Sequence, residues 1–150
     1  MHSTPLIVTL LCGLSVTPAI GVENLPPTVV AHLNRQGPMI SSAIFRSEYP
    51  APQMAVYYCV DENLKGGKNE GANNAANTHC AVALFNRGRG GRWLFGDEAV
   101  LGHGAIKDFI NGLVSGESVE YGKDDAPCCP SVRNQIHFDT GGGKLVRIAE

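Results

Sequence analysis

Met54-Ala-Val-Tyr-Tyr-Cys-Val60 is the stretch on which the fold turns. Its valines and tyrosines favour strand, and it is apolar at odd and even positions alike. A strand with one wet face alternates apolar and polar residues. One that is apolar on both faces belongs at the centre of a sheet. His79-Cys-Ala-Val-Ala-Leu-Phe-Asn86 reads the same way. Between the two, Asp61 to Thr78 is rich in Gly, Asn, Lys and Ala and reads as a polar, mobile loop. Cys59 and Cys80 stand at the facing ends of these strands, 21 positions apart. A bridge between them would anchor the loop and contribute about 3 kcal/mol by restricting the unfolded chain. Two buried thiols in sheet strands are the alternative.

On the N-terminal side, Pro26-Pro27 opens a short helix over Thr28 to Gln36, with Val29, Val30 and Leu33 on one face and Gly37 at its end. Met39 to Phe45 reads as a strand, and Ser47 to Gln53, with Pro50 and Pro52, as a linker. On the C-terminal side, Arg87 to Gly91 is a turn and Arg92 to Phe95 a strand, which Asp97 to Leu101 extends or follows. Ile106, Phe109, Ile110 and Leu113 recur at helical spacing, which predicts an amphipathic helix over Ala105 to Leu113, ended by Gly116. Glu117 to Tyr121 is a strand. Val132 to Phe138 and Lys144 to Ala149 then form a hairpin over Thr140-Gly-Gly-Gly143. The expected fold is α+β: an antiparallel sheet of four to six strands, one amphipathic helix packed on it, and a short N-terminal helix.

The 150 residues suit one domain, and a net charge of −2 supplies no strong overall field for nucleic acid or membrane lipid. No stretch reads as a membrane span. Leu6 to Val16 is too short for that, but has the length of a signal-peptide core. The small residues Ala19 and Gly21 place cleavage before Val22. Residues 1–21 then form the signal peptide and 22–150 a disulfide-stabilised domain, secreted or periplasmic. Lipid attachment at Cys12 is the competing reading, and Leu11 is a poor residue before such a site. Of the five cysteines, Cys59, Cys80, Cys128 and Cys129 remain after cleavage. In an oxidising compartment an even count reads as disulfides, with three connectivities open.

Cys128 and Cys129 are adjacent and boxed by Pro127 and Pro130. The prolines make Asp124 to Pro130 a stiff, extended corner. Neighbouring Cα atoms stand about 3.8 Å apart, less than ordinary disulfide geometry asks. A direct bridge is therefore a strained and reducible one, with a redox role attached. Separate pairing of each thiol is the structural alternative. Asp124 and Asp125 would raise a nearby thiol pKa, which argues against a cysteine nucleophile. Arg87, Arg89 and Arg92 form a run that could grip an anion or simply be a solvated turn. His103, between two glycines, reads as an anion contact or a surface residue. With Asp124 and Asp125 these make up the candidate binding surface. No nucleophile–base pair, P-loop or standard metal-ligand spacing emerges, so no catalytic, cofactor or metal residue is assigned.

Tyr121, Asp124-Asp125 and Cys128-Cys129-Pro130-Ser131, followed by Val132-Arg133 and Gly142-Gly143-Lys144-Leu145, resemble the C-terminal signature of the LppP/LprE-type small envelope lipoproteins. The resemblance covers roughly the last third of the chain and implies a bacterial cell-envelope protein, with no activity to carry over. Two function classes follow. One is a non-enzymatic binding or structural module with an envelope or extracellular partner, of which an inhibitor or immunity-like protein is one form. The other is an exported thiol-redox or metal-binding protein using Cys128 and Cys129.

Overall fold

The computed structural model describes residues 25–61 and 78–149. The signal-peptide reading of 1–21 and nearly all of the polar-loop reading fall outside the described residues. The elements are α1 (Pro27–Gln36), β1 (Met39–Ser47), β2 (Gln53–Asp61), β3 (Thr78–Arg87), β4 (Trp93–Gly102), β5 (Ala105–Ile110), β6 (Leu113–Glu120), β7 (Val132–Asp139) and β8 (Val146–Arg147).

All eight strands belong to one sheet, ordered β1-β2-β3-β4-β6-β7-β8, with β5 paired to β6 off that path. Neighbours are antiparallel except β4 and β6, which meet in a single parallel pairing at Gly102 and Val119. That one link joins two meanders, β1–β4 and β5–β8. Gly102 has φ 61° there, a conformation that costs glycine little.

The period-2 geometry of β2 and β3 explains why both are apolar throughout. Ala55, Cys59, Cys80, Val82 and Leu84, with Leu101 of β4, face the second meander, against Ile106, Phe109, Val114, Ile136 and Phe138. The residues of opposite parity, Met54, Val56, Tyr58, Val60, Ala81, Ala83 and Phe85, face Val29 and Leu33 of α1. The first meander is therefore the middle of three layers. Helix α1 starts at Pro27, where a proline's missing N–H costs nothing, and ends at Gly37.

This arrangement corrects the expected fold class. The described residues are mostly strand, with one α-helix and an eight-stranded mixed sheet, in place of a four-to-six-stranded antiparallel sheet carrying two helices. The error lies in Ala105 to Leu113, which is a hairpin. Asn111 (φ 50°) and Gly112 (φ 77°) form a two-residue turn, and Ile110 pairs with Leu113 across it. Two successive positive φ values are what such hairpin loops require, and Asn-Gly supplies them. The helical spacing has its own cause. The register of β5 against β6 shifts between Ile106 and Asp108. The extra residue of this bulge puts Ile106 and Phe109, three apart, on the same buried face. Ile110 and Leu113 are exposed, where a helix would have buried them.

A buried polar cluster ties the meanders together at one end. The Gln53 amide donates to Asn86 Oδ1 (2.8 Å) and to the Thr140 carbonyl (2.9 Å). Thr140 Oγ1 lies 2.6 Å from Gln53 Oε1 and 2.8 Å from the Gly112 carbonyl, which also accepts the Thr140 amide. The Gly112 amide reaches Ser47 Oγ, whose hydroxyl donates to the Tyr49 carbonyl. Four chain corners thus meet in one hydrogen-bonded knot, as buried polar groups demand.

Candidate functional site

The β3–β4 hairpin carries the arginine run. Its turn is closed by the Gly88 amide donating to the Arg92 carbonyl (2.7 Å), with Gly90 and Gly91 at φ 75° and 76°. Arg87 places its guanidinium 6.0 Å from the Trp93 ring centre, a cation–π contact. Arg89 and Arg92 are exposed, as is Leu94 at 53%. None of the three arginines is ion-paired with a carboxylate among the described residues.

The cysteine corner follows β6. Asp125 organises it: Oδ2 accepts the amides of Gly122 (2.6 Å) and Ser131 (2.7 Å), and Oδ1 accepts the Ser131 hydroxyl (2.7 Å). The Ser131 hydroxyl and these two amides hold the Asp125 carboxyl below the usual carboxylate range. Tyr121 donates to the Pro127 carbonyl (2.6 Å), and its ring meets the His103 ring edge-on at 5.4 Å. Cys128 and Cys129 are bonded to each other, with Cα atoms 3.8 Å apart, and both are exposed. His103 and the corner therefore share one locality, linked through Tyr121. Asp124 is exposed beside them, whereas Asp125 is absorbed into the loop's own hydrogen bonds. No hydrogen bond, ion pair or ring contact among the described residues joins this corner to the arginine hairpin.

Cys59 and Cys80 stand directly opposite each other in β2 and β3 and are bonded, with Cα atoms 4.0 Å apart. The Tyr57 hydroxyl lies 2.8 Å from Cys59 Sγ and 3.1 Å from the Gly104 carbonyl, and burial pushes its pKa up. This bridge is buried, as a structural crosslink should be.

A further polar cluster escaped the sequence reading. His32 Nε2 and the Tyr58 hydroxyl both lie 2.7 Å from Glu98 Oε2. His32 stacks on Phe95 with ring centres 4.8 Å apart. Burial, with the bond to Glu98, raises the Tyr58 pKa. The available signal was His32 itself, placed between Val29 and Leu33 on the apolar face of α1. The cluster couples helix to sheet, and His32 is almost fully buried. An open apolar groove of about 270 Å³ lies between α1 and β1, lined by Leu25, Val30, Leu33, Met39 and Ile40.

Among the described residues no three His, Cys, Asp or Glu side chains converge as a metal site would require, and no helix is long and apolar enough to cross a membrane. The chain matches no family model, no curated protein and no solved structure.

Proposed function

We propose that this chain is an exported bacterial cell-envelope protein acting as a non-enzymatic binding module, with the tip of the β3–β4 hairpin as its contact surface. The leader-like N-terminus and the resemblance of the Cys-Cys-Pro-Ser tract support the compartment. One observation carries the binding reading: Arg87, Arg89 and Arg92 share a tight turn and have no carboxylate partner among the described residues. Guanidinium groups are matched to phosphate and carboxylate oxygens, and a rigid turn spares part of the ordering cost of binding. Leu94 adds exposed apolar surface beside them.

The test uses residues 22–150 and vesicles of phosphatidylglycerol, with phosphatidylcholine as the control. Retention on the anionic vesicles should fall steeply with added salt, because exposed charges are screened beyond roughly 8 Å at physiological ionic strength. It should be lost in the Arg87→Gln, Arg89→Gln, Arg92→Gln variant. Equal retention of wild type and variant would remove the hairpin from the reading. The thiol-redox class stays open for a specific reason, the pairing of Cys128 with Cys129.

A further inference from the structure

The two disulfides differ in what they can do for the fold. Cys59–Cys80 closes a stretch of chain, with a sequence separation of 21. Crosslinking restricts the unfolded ensemble in proportion to the logarithm of the loop closed. Cys128–Cys129 has a sequence separation of 1 and encloses no intervening chain. It cannot act as a staple. Its corner is held by other means. Asp125 binds Gly122 at one end and Ser131 at the other, the Tyr121 hydroxyl binds the Pro127 carbonyl, and the Cys129 amide binds the Ala126 carbonyl at 2.9 Å. Pro127 and Pro130 fix two further φ angles. None of these contacts needs the S–S bond. Both sulfur-bearing residues are exposed, while Cys59 and Cys80 are each 4% exposed.

We propose that Cys128–Cys129 is a reversible thiol–disulfide exchange site, opened by a dithiol reductant while the domain stays folded. A thiolate of the reductant attacks one of the two exposed sulfurs. The S–S bond breaks, and the other cysteine leaves as a thiolate that takes up a proton. The reductant's second thiol then attacks the mixed disulfide, releases the second cysteine as a thiol and closes the reductant's own disulfide. Two electrons and two protons pass to the cysteines, and the reductant is oxidised by the same amount. The two side chains and the dihedrals flanking the 128–129 peptide gain freedom, while Asp125 still clamps the corner's ends. The exchange is independent of the arginine hairpin.

The experiment titrates the native protein with dithiothreitol, traps thiols with a maleimide and maps the label by mass spectrometry. Cys128 and Cys129 should become labelled at a dithiothreitol concentration about tenfold or more below that needed for Cys59 and Cys80. Thermal unfolding and the amide NMR spectrum outside residues 121–131 should stay unchanged at that point. Once the dithiothreitol has been removed by gel filtration, phenylarsine oxide added before the maleimide should protect both residues together, since an adjacent dithiol chelates trivalent arsenic. The Cys128→Ser, Cys129→Ser variant should fold with unchanged thermal stability and lose the low-concentration labelling. Simultaneous opening of both bridges, unfolding on opening of the outer one, or crossed pairing in the untreated protein would overturn the proposal.

Discussion

Thr140→Val tests whether the polar knot holds the two meanders together. Valine has nearly the same shape as threonine, so the change removes a hydroxyl and leaves the packing. Thr140 is completely buried, and Gln53, at 3% exposure, is nearly so. The Gly112 carbonyl keeps a donor after the change, the Thr140 amide at 2.9 Å. Gln53 Oε1 does not, because Thr140 Oγ1 is its one donor among the described residues. A buried acceptor without a donor costs about 1–3 kcal/mol. The new methyl group offsets at most about 0.8 kcal/mol of that. From the middle of that range, about 2 kcal/mol, the net expectation is a loss of about 1.2 kcal/mol. Urea unfolding with both disulfides intact, followed by the fluorescence of Trp93, the single tryptophan, measures it. The midpoint should fall while the slope stays constant. Thr140→Ser, which keeps the hydroxyl, should recover most of the loss. A double-mutant cycle with Gln53→Met should show a coupling of at least about 0.5 kcal/mol. A Thr140→Val protein within about 0.5 kcal/mol of wild type, with no coupling, would show that the knot does not hold the meanders.

Three further outcomes follow. Glu98→Ala should destabilise by about 1–3 kcal/mol in urea unfolding, because it leaves His32 and the buried Tyr58 hydroxyl without their shared acceptor, and Glu98→Gln should restore much of this. Asp125 has a lowered folded pKa, so its contribution is present above the ordinary carboxylate range and is lost as pH falls through the lower folded value. The Gly122 and Ser131 amide resonances should report that titration in acid and not within the ordinary range, and Asp125→Asn should abolish it. Gly112→Ala should destabilise by about 1 kcal/mol or more, since alanine resists φ 77° and its Cβ would lie 2.8 Å from the Pro50 ring. Were this segment a helix, the same change would stabilise it by about as much, so the sign of the shift in Tm decides between them.

The middle layer was legible in the sequence because β2 and β3 must be apolar on both faces, and that pattern needs no partner to be read. The second meander was not. Its inward row on β6 is Val114, Gly116 and Ser118, too sparse in large apolar residues to announce a buried strand. Gly116 is glycine because a Cβ there would run into the Ala105 carbonyl of β5. A residue chosen for close approach therefore looked like a helix stop. The bulge at Lys107 then gave Ile106 and Phe109 their helical spacing. Asn111-Gly112 is a local hairpin signal inside this stretch, and a reading by hydrophobic periodicity alone passes over it.

The candidate sites divide along the same line. Arginines and adjacent cysteines are visible as residue types, so the hairpin and the corner could be named from the sequence. Their partners could not, because partnership depends on register. Cys59 faces Cys80 because β2 and β3 align Gln53 with Asn86 and keep step without a bulge to Asp61 and Thr78. A slip of one residue would turn one sulfur to the opposite face of the sheet. Once that pair is made, Cys128 and Cys129 have only each other among the described cysteines. Asp125 shows the converse. In the sequence it reads as a charge beside two thiols, available to a ligand. In the fold it accepts three hydrogen bonds from Gly122 and Ser131 and closes a loop. A carboxylate so occupied stabilises the corner from within. That leaves the exposed disulfide, whose opening breaks none of those bonds, as the part of the corner free to react.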